Sequence, residues 1–410
     1  MDEEKRKCSR RDFLKTAGAA GVGSILAAVG PVSGAKADEK TQHKTMPRRP
    51  FGNTGINVPI LALGGIVDFT SNQILLKQAL KMGVSYWDTA SGYEGGKSEK
   101  GIGKYFSRYP EDRKKVFLVT KSRSHEPEGM TEELNRSLER MNTSYIDLFF
   151  MHSVKSAKSL APHAKIKEWA EKKKKEGKIR LFGLSTHSNM EEVMLEASGF
   201  GWIDGIMMTY NYRVMNSERM KEAFDACVKS GIGLTAMKTQ GGWSSRLFQD
   251  TDEAVQKVFD QFLERGFTPE QTKLKAVWEN PGIASICSHM PSLTILMANV
   301  AAALNKTKIS SNDMKLLDQY ALKTASHYCA GCANLCETAV NGKVPVNDVM
   351  RYLMYSRSYG DKERAAALFR NIPEHIRNNL SSVDYSRAEK LCPQGIAIGK
   401  LILEASEEFA

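Results

Sequence analysis

The chain has 410 residues, of which 41% are hydrophobic and 26% charged, with a formal net charge of +11 at pH 7. That length exceeds one average domain and fits a barrel-sized unit plus a smaller one, with enough apolar material for a real core. No run reaches the ~18 consecutive apolar residues of a membrane-spanning helix. The densest basic run, Lys172 to Lys175, ends an amphipathic pattern and has no interleaved aromatic residues. It reads as a solvated helix face, and no nucleic-acid surface is expected.

Residues 1–37 carry seven Lys/Arg against four Asp/Glu. Here Arg10-Arg11-Asp12-Phe13-Leu14-Lys15 precedes an apolar, Gly/Ala-rich run from Thr16 to Gly30, and Ala35-Lys36-Ala37 has the small-residue pattern of a cleavage site. A charged stretch, a short apolar stretch and a small-residue site, in that order, make an export signal. The paired arginines point to the twin-arginine pathway, which carries proteins already folded. The mature chain is expected in the periplasm or another extracytoplasmic space, without an integral membrane segment once the leader is removed.

From Met46 to Val300 short apolar runs alternate with helix-length polar stretches. Eight runs read as strands: Ile60 to Leu63, Ser85 to Thr89, Val116 to Lys121, Ile146 to His152, Ile179 to Ser185, Gly205 to Asn211, Gly233 to Lys238 and Ser285 to His289. Continuous apolar strands joined by helices indicate a parallel sheet buried on both faces, and eight such units predict a (β/α)8 TIM barrel. Ahead of them, Arg49 to Ile56 reads as a hairpin turn able to plug the barrel floor. After Ser310 only helical patterns follow: Asp313 to Ser326, Asn347 to Tyr359 and Lys362 to Arg370. The expected organisation is a leader over 1–37, an α/β barrel over 38–310 and a helical, cysteine-rich domain over 311–410.

Barrel chemistry gathers at the carboxyl ends of strands. Those ends hold Asp88, Tyr93 just beyond it, Lys121 and His152. A tyrosine ordinarily titrates near ~10, too high to serve easily as a proton donor at neutral pH. A neighbouring ammonium would lower that value, Asp88 would hold Lys121 by an ion pair, and His152 would donate to a substrate oxygen. The set suits carbonyl reduction.

Trp87-Asp88-Thr89-Ala90-Ser91-Gly92-Tyr93, followed by Ser98-Glu99-Lys100-Gly101-Ile102-Gly103, resembles the signature of aldo/keto reductases. Phe117 to Lys121, Ser144 to His152, Gly177 to Arg180, Gly183 to Ser185 and Ala236 to Lys238 are similar to that family in the same order, so the resemblance covers about Arg49 to Val300. It implies a nicotinamide-dependent oxidoreductase acting on aldehydes, ketones or sugar-like alcohols. In it Tyr93 is general acid and base, Lys121 and Asp88 tune it, and His152 orients the carbonyl. It also implies that NAD(P)(H) is held by Ser185, Asn211, Met237, Lys238, Ser288, Ser292 and Asn299. Three departures stand out: Thr186 and Met207 occupy positions where the family commonly has amides, and the 288–292 loop lacks the Lys or Arg that grips a 2′-phosphate. Outside the cytoplasm no free nicotinamide pool exists, so a tightly held nucleotide exported with the fold is expected.

Among seven cysteines, Cys329-x2-Cys332-x3-Cys336 is followed by Cys392-Pro393. Ferredoxin runs end in Cys-Pro, and the last cysteine of each run ligates the other cluster. The positions that would complete a second set hold Ser382, Tyr385 and Ala388. The four retained cysteines therefore match the ligands of a single 4Fe–4S cluster, and the tail resembles a reduced ferredoxin-like extension carried by some aldo/keto reductases. Disulfides, suited to an oxidising space, and a structural zinc site remain open. An alternative to the enzyme is an exported iron–sulfur electron-transfer or binding protein with a catalytically weak barrel and a redox partner protein.

Overall fold

Residues 45–156, 163–241 and 260–409, apart from 262 and 265, are described by the computed structural model; the leader lies outside them. A short antiparallel hairpin comes first, β1 (Arg48–Pro50) against β2 (Asn57–Pro59). Eight parallel strands follow and close into a barrel: β3 (Leu61–Gly64), β4 (Tyr86–Asp88), β5 (Phe117–Ser122), β6 (Ile146–Met151), β7 (Ile179–Thr186), β8 (Gly205–Thr209), β9 (Gly233–Met237) and β10 (Ile283–His289), with β10 pairing back onto β3. Among the described residues an α-helix follows each barrel strand: α1 (Gln73–Lys81), α2 (Lys97–Arg108), α3 (Pro127–Arg140), α4 (His163–Lys175), α5 (Met190–Ser198), α6 (Glu218–Lys229), α7 (Pro269–Trp278) and α8 (Leu293–Leu304). The fold is a (β/α)8 TIM barrel with a helical C-terminal region. Strand ends differ from the sequence expectation by a few residues, because an apolar run continues into the turn where strand pairing has stopped; β8 ends at Thr209, not Asn211.

Two concentric cores hold the barrel. Strand residues of one parity point inward, where Ala62, Tyr86, Val119, Leu148, Phe150, Leu181 and Met207 pack around Phe51 from the β1–β2 turn. Phe51 is fully buried, and a Cβ on Gly205 or Gly233 would come within 2.7 or 2.4 Å of its ring, so the floor plug requires glycine at both strand starts. Residues of the other parity face the helices. The inward side of α6 shows the matching period, with Met220, Ala223, Phe224 and Cys227 buried and Ser217 capping the helix through Met220 N.

Beyond the barrel come α9 (Ser311–Lys323), α10 (Ala333–Ala339), α11 (Val346–Tyr359), α12 (Lys362–Arg370), α13 (Glu374–Arg377), α14 (Ser386–Leu391) and α15 (Ile398–Phe409). Leu316, Leu317 and Tyr320 of α9 join the outer barrel core. The later helices enclose a separate core that includes Val349, Leu353, Phe369, Ile402 and Phe409. Among the described residues no helix is long and apolar enough to cross a membrane.

Candidate active site

Strand alternation decides which side chains reach the mouth. In β4, Tyr86 faces the inner core and Trp87 the outer one, so Asp88 points inward again. In β5 the inward set runs Phe117, Val119, Lys121, and in β6 Leu148 and Phe150 lead to His152 one residue past the strand. Register places Asp88 beside Val119 and Lys121 beside Phe150 on adjoining strands. Period-two geometry alone therefore brings the three residues to one rim.

Lys121 Nζ donates to Asp88 Oδ1 and Oδ2 at 2.6 and 2.7 Å and to Thr89 O at 2.7 Å, and both side chains are buried. Burial by itself would pull the ammonium down; its neighbours, the bonded Asp88 carboxylate first among them, outweigh it and hold Lys121 above its ordinary value. Tyr93 stands half-buried over this pair, its ring centroid 5.0 Å from Lys121 Nζ and 5.7 Å, edge-on, from the His152 ring. Its hydroxyl is pushed up to about 12 by burial, against the pull of Lys121. The sequence-based expectation of a lowered tyrosine is thus corrected: the ammonium spends its three N–H bonds on Asp88 and Thr89, and desolvation wins. His152 is driven well below its ordinary value by burial and by the cations Lys121, Arg123, Lys238 and Arg364, so it is neutral at pH 7.

The residues expected to hold a nucleotide are scattered around the same rim. Ser185 shares the inward face of β7, and its Oγ accepts from Ser153 N at 3.0 Å. Asn211 donates to Lys238 O at 3.0 Å and to Tyr328 Oη at 2.9 Å, while its Oδ1 accepts from Arg213 N. These contacts tie the side chain of Asn211 to the loops at the rim, and Met207 lies in the inner core. Met237 is half-buried at the end of β9, and Lys238 beyond it has a left-handed φ of 54°. Asn299 donates to Ser288 Oγ at 3.0 Å, and Ser292 caps α8 by accepting from Ile295 N.

Two parts of this rim would suit a nicotinamide dinucleotide: the half-buried apolar side chain of Met237, and the first-turn amides of α8, which have no carbonyl partners within the helix. Residues 283–304 supply no Lys or Arg for an extra phosphate.

The C-terminal helices close over the mouth. Lys155 and Arg351 both bond Asp348, Arg351 donates to His187 Nδ1 at 2.8 Å, and Ser188 bonds Asn347. Gly331 at φ 92° backs onto His187 O, where a Cβ would come within 2.6 Å. Between strand ends and α11 lies a cavity of about 320 Å³, lined in part by His187, Thr209, Lys238, Arg351 and Cys329. Cys329, Cys332, Cys336 and Cys392 are free thiols around a second, smaller hollow whose lining has no charged side chain. Burial pushes Cys332 and Cys336 up to about 12. Among the described residues no three His, Cys, Asp or Glu are grouped so as to hold a metal ion.

Sequence reasoning missed three residues of this site. Cys287 reads as an isolated core cysteine, yet its place on β10 brings its thiol close enough to Asp88 for each to influence the other's protonation. Tyr355 and Arg364 belong to amphipathic helical patterns that carry no sign of what they cover.

Residues 61–320 match the model of the aldo/keto reductase family, and residues 7–27 that of the twin-arginine translocation signal sequence, which directs export to the periplasm or extracytoplasmic space. Curated relatives include an aldo-keto reductase of Fusarium vanettenii, 27% identical over 231 residues that span 45% of this chain and 62% of that protein. Another is the Schizosaccharomyces pombe aldo-keto reductase yakc, whose name specifies NADP(+), 26% identical over 52% of this chain and 64% of that protein. The chain thus spans less than two thirds of the length of either. Similar solved structures are the holo form of an aldo-keto reductase from Bacillus halodurans (22% identity, TM-score 0.56, 67% of this chain and 96% of that one) and a thermostable aldo-keto reductase bound to epalrestat (25%, 0.53, 67% and 100%). Because the family match runs unbroken from β3 through α9 and takes in every strand end that supplies the mouth, the chain belongs to the aldo/keto reductase family.

Proposed function

We propose that the chain is an exported, nicotinamide-dependent oxidoreductase of small carbonyl compounds, with Tyr93 as proton donor and acceptor. The observation that carries this reading is the convergence of Tyr93, the buried Lys121–Asp88 pair and a neutral His152 on one barrel rim. When bound, the nicotinamide supplies or accepts the hydride, and NADP(+) in the name of the yeast relative favours that form of the nucleotide. Met237, Ser185 and the N-terminus of α8 with Ser288 and Ser292 would hold it. Asn299 positions Ser288.

The chain's own residues manage the proton. Held near 12, the Tyr93 hydroxyl keeps its proton at neutral pH and can give it to an alkoxide, which is far more basic. The phenolate left behind lies beside the Lys121 ammonium, in a site dry enough for that attraction to count. Asp88 keeps the ammonium from swinging away. Neutral His152 can donate one ring N–H to the carbonyl oxygen and, being uncharged, adds no full charge that would over-bind the ground state.

The cysteine quartet supports a further element of the reading. Four thiols around one apolar hollow match the donor number and chemistry of a 4Fe–4S cluster, which Cys329, Cys332, Cys336 and Cys392 would hold once drawn closer together than they stand here. Cys329 also lines the mouth cavity, which favours a second reading, an electron carrier that uses the barrel as a nucleotide holder. Tyr93→Phe separates the two. As a reductase the variant loses about a hundredfold to ten-thousandfold in kcat/KM for aldehyde reduction with nucleotide affinity retained. An electron carrier ignores this change and fails with Cys332→Ser. Iron content and the visible spectrum of anaerobically purified protein test the cluster itself.

A further inference from the structure

Four cations face His152: Lys121, Arg123, Lys238 and Arg364. Several carboxylates near the mouth, among the described residues, are already engaged. Asp88 is taken by Lys121, Asp348 by Lys155 and Arg351, and Glu404 and Glu408 by Arg357. Asp361 accepts from the backbone N–H of Arg364 and caps α12. Two cations among the described residues are left without such a partner. Arg364, half-buried, places its guanidinium 5.9 Å from the centroid of the Tyr93 ring and 5.2 Å from that of Tyr355. Lys238, half-buried just past β9, stands 5.4 Å from the same Tyr355 ring and interacts with its hydroxyl. Neither makes an ion pair among the described residues. Lys238 is held there by a backbone with positive φ, uncommon for a side chain of its size. Two part-desolvated cations without a carboxylate partner among the described residues, one of them, Arg364, beside the proposed proton donor, carry a cost that an anionic ligand would offset.

We propose that the substrate of this mouth is an anionic carbonyl compound, whose carboxylate or phosphate is received by Arg364 and Lys238 while its carbonyl lies against Tyr93 and His152. The inference rests on the reading of the mouth as a carbonyl site and adds the class of substrate. It also gives the C-terminal region a part in recognition: α12 supplies the guanidinium that β9 and its loop face with an ammonium. Arg364 is a specificity residue, since a planar fork grips an oxyanion in two places, and the proton chemistry stays with the barrel.

Calorimetry on the full chain saturated with NADP(+) tests it, using alcohols as stable stand-ins for product. One pair is 4-(hydroxymethyl)benzoate and benzyl alcohol, and the other glycerol 3-phosphate and glycerol. The native chain is expected to prefer the anionic member of one pair by at least about tenfold, the worth of one charge-assisted contact. The pair showing the larger ratio assigns carboxylate or phosphate. Arg364→Met, which keeps the aliphatic stem, lowers that ratio about tenfold, Lys238→Met lowers it in the same sense, and Arg364→Lys restores part of it. Equal affinities in the native chain, or a ratio that survives Arg364→Met, overturn the proposal. So does a fall in NADP(+) affinity with the ratio intact, because the cations would then serve the nucleotide's phosphates. A chain that keeps the anion preference but reduces no aldehyde sinks the reductase reading and leaves the anion site standing.

Discussion

Two lysine–aspartate pairs in this molecule have the same length and opposite significance. Lys121–Asp88 in the barrel and Lys155–Asp348 at the joint between barrel and tail both measure 2.6 Å. In the first, lysine and aspartate side chains are 1% and 4% exposed; in the second the lysine is 57% exposed. Distance is no guide to worth here. A buried pair is an obligation on both partners, because either left alone is a charge without water, whereas an exposed pair competes with water and salt at every moment.

The largest effect should come from breaking that symmetry. Lys121→Met strands the Asp88 carboxylate among Tyr86, Tyr93 and Cys287, and denaturant unfolding should show a loss of about 3–5 kcal/mol. Lys155→Met, an identical replacement opposite an identical partner, should cost under about 1 kcal/mol. Similar losses would sink the argument that burial decides. The double change Lys121→Met with Asp88→Leu should regain much of the stability, since no stranded charge remains, while leaving the mouth without its ammonium.

A smaller effect tests the barrel floor against the tail in packing terms. Gly233→Ala drives a methyl to within 2.4 Å of the Phe51 ring, in a core with no slack, and should cost about 1–3 kcal/mol. Gly399→Ala in α15 meets nothing nearer than 3.4 Å and trades glycine for a better helix former, so it should be neutral or stabilise by up to about 1 kcal/mol. A Gly233→Ala protein with native stability would mean that Phe51 does not plug the floor.

The same contrast explains how much could be read from sequence. Barrel strands show themselves because both faces are buried, leaving continuous apolar runs, and because inward parity fixes Asp88, Lys121 and His152 once the strands are placed. The tail helices are legible too, Lys362–Arg370 to the residue, since amphipathic period is a local property. Their seat on the barrel is not. It is made by Asn347, Arg351, Tyr355 and Arg364, polar side chains on helix faces indistinguishable in sequence from solvent-facing ones, and their partners at His187, Ser188 and Lys238 lie more than a hundred residues away. Cys287 escaped notice because a lone cysteine on an apolar strand looks the same whether its neighbour is a leucine or a carboxylate. The bond from Asn211 to the tail's Tyr328 was hidden for the same reason, since its partner lies far along the chain.

Acid should separate barrel and tail with the gentlest perturbation. His187 is pulled well below its ordinary value, first by burial and then by Arg351, Lys238, His152 and Lys155, and its Nδ1 accepts from Arg351. An acceptor nitrogen must be unprotonated. In the unfolded chain this histidine takes up a proton near ~6.5, while the folded chain resists. Below that value the unfolded state binds more protons, so stability falls as pH drops and is regained on returning above it. His152 at the barrel rim is driven down in the same way and loosens its own surroundings in the same direction, so the comparison is made in a His152→Gln background. Between pH 7.5 and 5.5, hydrogen exchange in residues 346–359 should therefore accelerate before any change in residues 117–122, and His187→Gln, which cannot take up a proton, should flatten the response. If the strand loosens first, or the His187→Gln variant responds as its parent does, the histidine–arginine contact is not what fastens the tail to the mouth.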